Sequence, residues 1–209
     1  MMIDSLPIVF LLSSLVIILT PGQDMILVMS RSIGNGSGAG ISTAAGVSVG
    51  LMGHTILAAL GLGSLLSSST TLFMTIKFAG AGYLIYLGIK MARSSASQMG
   101  FSKTEIQSKK KLFYQGMVSN ISNPKITLFY FAYLPQFIPA QNESHTLAIF
   151  ILGTVFALLT FVIKAPIGYC AGNFSAWLRA NPRSLTCINR LSGILLVGIG
   201  LRLAFSTKN

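Results

Sequence analysis

Acidic residues are almost missing from this chain of 209 residues: four Asp and Glu stand against fifteen Lys and Arg, and charged residues of both signs make up only 9%. Soluble domains carry about a quarter, so a soluble globular enzyme fits poorly. The net charge of +11 would suit a nucleic-acid binder, but 52% hydrophobic residues and a mean hydropathy of +0.72 leave too little polar surface for one. Cysteine is scarce as well. Cys170 and Cys187 make neither a disulfide framework nor the clustered spacing of a zinc site, and both read as small apolar residues. H-E-x-x-H, the Walker lysine motif and a complete G-x-G-x-x-G are all absent, which removes support for metalloprotease, nucleotidase and dinucleotide-binding roles. No metal and no cofactor is expected. A hydrocarbon core of about 30 Å takes roughly 20 apolar residues per helical span, so this length accommodates about six spans with short connections and no separate soluble domain.

Apolar runs place spans near 5–29, 41–64, 70–91, 113–137, 146–171 and 189–206. The N-terminus has no positive region, carries Asp4 and shows no small-x-small cleavage site after Ile8 to Leu19, so the first run is expected to be a retained helix. Gly34-Asn35-Gly36-Ser37-Gly38 reads as a tight turn between the first two spans, while Ser64 to Thr71 and Pro139 to Glu143 are loops without a Lys or Arg. Arg31, Lys90, Arg93, Lys103, Lys109, Lys110, Lys111, Arg179, Arg183 and Arg190 then fall on one side of a six-span plan. The other side holds Arg202 and Lys208, and Lys77, Lys125 and Lys164 fall inside spans. By the positive-inside rule the basic loop near 92–112 is cytoplasmic and both termini face away from the cytoplasm. The Lys109 to Lys111 cluster is accounted for by insertion, ahead of nucleic-acid or anionic-lipid binding.

An offset of 112 residues lays Gly88-Ile89-Lys90-Met91-Ala92 over Gly200-Leu201-Arg202-Leu203-Ala204, with Leu84 over Leu196 and Ile85 over Val197. The first and fourth spans also share an interrupting proline, Pro21 and Pro124. Two three-helix halves, about 5–91 and 113–206, are the simplest account; since three is odd, the second half enters from the opposite side, as in many secondary transporters. The expected fold is all-α: a single polytopic membrane domain over 1–209, with six transmembrane helices as two inverted three-helix repeats.

Thr20-Pro21-Gly22-Gln23-Asp24 interrupts an otherwise apolar span. Proline removes a backbone donor and glycine lets the chain leave helical geometry, and in lipid the freed groups need neighbouring helices or a wet cavity. Ser13, Thr20, Asp24 and Arg31 share a face if helical register passes through the proline. Asp24 is the one acid inside a predicted span, where a charge costs about 2.5 to 3.5 kcal/mol at the helix centre; a kinked helix packed on its neighbours is the plainer alternative. In the fourth span Asn123-Pro124-Lys125 makes a second interruption, with Asn120 and Thr127 one turn to either side. On an intact helix Lys125 would point away from Asn123, so only a break at Pro124 brings them together. Lys125 lies roughly twelve residues, about 18 Å, into its span, too deep for easy snorkelling, whereas Lys77 and Lys164 lie nearer span ends where snorkelling accounts for them. His54 follows a small-residue face of Gly46, Gly50 and Gly53 and reads either as a neutral core histidine with one hydrogen bond or as a proton relay. Gly46-Val47-Ser48-Val49-Gly50 matches G-x-S-x-G only formally, because it sits in an apolar helix with His54 on another face.

Four stretches together resemble the lysine exporter and homoserine/threonine resistance family of bacterial amino-acid exporters: Thr20 to Asp24, Ala44 to His54, Lys77 to Gly88, and Asn120 to Phe137. The resemblance extends over nearly the whole chain. It implies a six-helix protein of the bacterial inner membrane that exports amino acids using the proton gradient. It gives most weight to Pro21, Gly22, Asp24, Asn123, Pro124 and Lys125, which match the family's Pro-Gly-x-Asp and Asn-Pro-Lys segments. Gln23 departs from it, since proline is the more frequent residue there. The expected site is a cavity between Pro21 to Asp24 and Asn123 to Lys125, with Gln23, His54, Lys77 and Asn120 as further candidates. Its partners would be a small amino acid or close derivative, protons and the lipid bilayer, without nucleic acid; a homo-oligomer is compatible with it. Two other readings stand beside export: a non-transporting membrane subunit whose polar residues only hold helices together, and, more remotely, an intramembrane enzyme using Ser48 or a cysteine.

Overall fold

Pro21 cannot donate the amide that would bond the carbonyl of Ile17, and Gly22 follows it in extended geometry (φ −164°, ψ −172°), so the first apolar run breaks in two. In the computed structural model, which describes residues 2–68, 70–94, 106–138, 144–171, 173, 177 and 181–206, α1 (Met2–Leu19) and α2 (Gln23–Asn35) are bent by 52° at this point. Register therefore does not pass through the proline: Ser13 and Thr20 belong to the region of α1, Asp24 and Arg31 to α2. Gly36, at φ 87°, makes the turn into α3 (Ser37–Ser68) as a one-residue link, a conformation that favours glycine. α4 covers Thr70–Arg93.

The run expected as one span over 113–137 is broken as well. α5 (Lys109–Ile121) stops at Ser122, Asn123 caps α6 (Pro124–Leu128), and the chain continues through a π-helical turn (Phe129–Tyr133) and a 3-10 turn (Leu134–Phe137). α7 (His145–Tyr169) is continuous, and α8 (Pro182–Phe205) starts well ahead of the expected 189. Lys103, Arg179, Lys208, Glu105, residues 95–105 of the basic loop and the loop at Pro139 to Glu143 lie outside the described residues. All regular structure among the described residues is helical. Ser37–Gly61, His145–Tyr169 and Thr186–Phe205 are each long and apolar enough to cross a bilayer, and the bent pair Pro7–Leu19 with Gln23–Asn35 makes a fourth candidate span. The protein is thus a polytopic membrane protein, with Leu57, Leu60, Phe78, Leu158, Val162 and Ile194 turned outward. Cys170 and Cys187 are free and exposed rather than packed inside.

Glycine decides where helices touch. A Cβ on Gly46 or Gly116 would run into the backbone carbonyl of Phe113 or Thr43, and one on Gly50 would lie 2.8 Å from that of Met117, so α3 and α5 meet backbone to backbone. Gly53, expected on the same face, is looser, with Ile121 at 3.9 Å. α3 and α7 cross where Gly40 faces Gly168 and again where Gly153 faces Thr55; α4 and α8 cross where Gly88 faces Gly193 and again where Gly200 faces Ala81. These contacts come in matched pairs. One offset of 112 carries 88 to 200 and 81 to 193, and one of 113 carries 40 to 153 and 55 to 168. The irregular turns after α6 hold the aromatic core, with the ring of Phe129 tilted against Phe156 at 4.6 Å and Phe137 edge-on to Phe10 at 5.3 Å.

Candidate functional site

The two chain breaks face each other. Lys125, in the first turn of α6, donates from Nζ to the carbonyls of Ile17 (3.2 Å) and Thr20 (3.4 Å). Ile17 is the residue whose carbonyl Pro21 leaves without its helical donor, and a cation at a helix C-terminus also meets its partial negative charge. Gly22 makes room, since a Cβ there would lie 3.3 Å from the ammonium. Asp24 stands in the first turn of α2, the favourable end for an acid. Its Oδ2 accepts from Asn120 Nδ2 at 2.8 Å and from Asn123 Nδ2 at 3.2 Å, its Oδ1 from Ser119 Oγ at 3.3 Å, and Lys164 Nζ of α7 pairs with Oδ2 at 3.6 Å. Asp24, Lys164 and Lys125 are 3%, 5% and 8% exposed, so three charged groups share one buried cluster.

The break at Asn123 is what unites Lys125 and Asn123. As cap, Asn123 accepts from Lys125 N through Oδ1 at 3.1 Å while its amide reaches Asp24. The carbonyls freed at the first break are thus met by Lys125 from the neighbouring broken helix. Lys164 corrects an expectation: it does not snorkel but is buried against Asp24. Nothing beside it in sequence announces this; the one signal is a lone cation, two residues before Pro166, in an otherwise apolar helix. Lys77 is also buried rather than snorkelling, but it is not brought to the cluster, since its ammonium donates to Ser206 O and lies 5.3 Å from the Phe78 ring centroid. His54 touches the cluster only through the backbone, with Nε2 3.2 Å from Asn120 O and its ring stacked on Tyr130, which matches the core-histidine reading. Ser48 Oγ is buried without a hydrogen-bond partner.

Beside the cluster, α2 and α5 border a groove of about 760 Å³. Arg31 and Lys111 line it together with Gln23 and Ser119, whose side chains bond each other at 3.2 Å. Ser119 in turn donates to Asp24, so the groove ends one hydrogen bond from the buried carboxylate.

Comparison with known proteins bears on this arrangement. Residues 15–207 match the LysE type translocator family. The chain belongs to that family. LysE-type proteins are translocators rather than enzymes, which agrees with a site built of helix breaks and buried charges. The chain is similar to a homoserine/homoserine lactone efflux protein of Salmonella typhimurium, 33% identical over 93% of this chain and 94% of the relative. It is 34% identical to an uncharacterized membrane protein, YrhP, of Bacillus subtilis over 90% of this chain and 93% of the relative. It is 28% identical to a leucine efflux protein of Salmonella choleraesuis over 93% and 92%. No solved structure was found to match.

Proposed function

We propose that this LysE-type translocator exports amino acids or close derivatives, homoserine- or threonine-like and neutral or basic, across the bacterial inner membrane at the expense of the proton gradient. The observation that carries the reading is the buried Asp24, ringed by amide and ammonium groups where two broken helices meet. Relatives described as efflux proteins for homoserine and leucine support the substrate class. Asp24 is the group proposed to take the substrate's ammonium and to exchange protons. Pro21, Gly22, Asn123 and Pro124 shape the break, Asn120 holds the carboxylate, and Lys125 must leave the Ile17 and Thr20 carbonyls for the break to open. Gln23 and the α2–α5 groove form the approach.

The proposed plan has six spans in two inverted halves, joined by the basic segment near 92–112, with both termini outside the cytoplasm. It is supported by the matched glycine contacts of α4 with α8 and of α3 with α7, each related by a single offset. The test is growth of cells expressing the chain on a panel of toxic amino acids, with intracellular pools measured alongside. Resistance with lowered pools of one compound identifies substrate and direction; no counterflow of any panel member in reconstituted vesicles would favour a non-transporting subunit.

A further inference from the structure

Export as proposed for Asp24 leaves Lys164 without an assigned role, and its part in substrate recognition rests on that export function. Its ammonium stands 3.6 Å from Asp24 Oδ2, outside the 2.7–3.2 Å of a normal N–H···O bond. The same carboxylate accepts three closer donors, all neutral and all from α5 and the break behind it: Asn120, Asn123 and Ser119, at 2.8, 3.2 and 3.3 Å. Asp24 is therefore positioned chiefly by the two amides, while Ser119 and the lysine stand farther off, the lysine as an ion-pair partner from a different, unbroken helix. Lys125 is already engaged by the Ile17 and Thr20 carbonyls.

We propose that the Asp24–Lys164 pair recognises the substrate as a zwitterion, which inserts between the two side chains with its ammonium on Asp24 and its carboxylate on Lys164. Charge balances at each stage. One ion pair becomes two, and no buried charge is left bare, the condition that makes breaking such a pair costly. The four-carbon stem of lysine lets its ammonium draw back without moving the helix. A carboxylate-bearing amino acid is thus favoured over the corresponding lactone, ester or amide, whose neutral end gives Lys164 nothing to bind.

The experiment measures half-saturation for homoserine against homoserine lactone, and for leucine against leucinamide, in vesicles containing wild type, Lys164→Gln or Lys164→Arg. Wild type should prefer the acid of each pair it carries. Lys164→Gln should weaken the acid by about tenfold or more, the loss expected for a charged hydrogen bond, while the neutral partner, which leaves the lysine bare in wild type, should bind no more weakly than before. Equal losses for both members would make Lys164 a packing residue and overturn the proposal, as would an unchanged preference. Where Lys164→Gln does not reach the membrane, Lys164→Arg decides: it keeps the charge but displaces it, so the acid-to-neutral ratio should move at least threefold, and a wild-type ratio overturns the proposal. A wild type that carries none of the four compounds, or any other amino acid, fails earlier and removes the export reading itself.

Discussion

Replacing Lys125 by Ala would leave the carbonyls of Ile17 and Thr20 without their donor at a buried break, at about 1–3 kcal/mol for an unsatisfied buried group. The break, not the bundle, bears that cost. Transport should fall at least about tenfold while membrane abundance falls much less, and Lys125→Arg should rescue poorly, because a planar fork does not replace a point charge in the space beside Gly22. Wild-type uptake in Lys125→Ala vesicles would reduce Lys125 to a passive side chain. Asp24→Asn removes the counter-charge of Lys164 but keeps the shape that Asn120 and Asn123 hold. Under the proposed coupling, net proton-driven export should fail while substrate exchange partly survives. A pH-jump assay in vesicles checks this; undiminished proton-dependent accumulation would shift attention to His54.

Among the elements, glycine positions sort by what stands opposite. Gly116→Val should prevent α3 and α5 from meeting, because the Thr43 carbonyl occupies the place of the new side chain, and overpacking of this kind costs about 1–3 kcal/mol or more. Gly82→Ala, with nothing within 4 Å, should leave abundance unchanged. Detergent-extracted yield of the two variants, measured side by side, checks the contrast. Both helix breaks are local events, with their cause in adjacent residues, Pro21 with Gly22 and Asn123 with Pro124; the first could be read beforehand, whereas at Pro124 the sequence left an intact span and a break both open. Asp24 could be read from its cost in lipid. Lys164 could not, since its place depends on α7 crossing α3 at Gly168 and Gly40, a packing event that local sequence does not encode. The same holds for Lys77, whose carbonyl partner at Ser206 comes from the far end of the chain.

At the scale of the whole molecule, the proposed orientation comes from where the cations lie. The end of α2 and the starts of α3 and α5 are tied together by Gln107 N on Asn35 Oδ1 (2.6 Å) and Ser42 Oγ on Lys109 O (2.7 Å), a region that also carries Arg31, Lys110 and Lys111. A single cysteine in place of Gly100, in the basic segment, should resist an impermeant thiol reagent in intact cells and react after permeabilisation, measured in a background lacking Cys170 and Cys187. Labelling without permeabilisation would reverse the topology. The α3–α5 seam has one more consequence, for insulation. Where Gly46 and Gly116 bring two backbones into contact, no file of water fits between the helices, and the seam ends beside Asn120 and His54 at the edge of the buried charges. Under the proposed coupling, protons arriving from the basic end would be directed along the α2–α5 groove, which ends at Ser119 beside Asp24. A side chain forced into the seam would admit a leak, visible as dissipation of a pH gradient in vesicles with no substrate present.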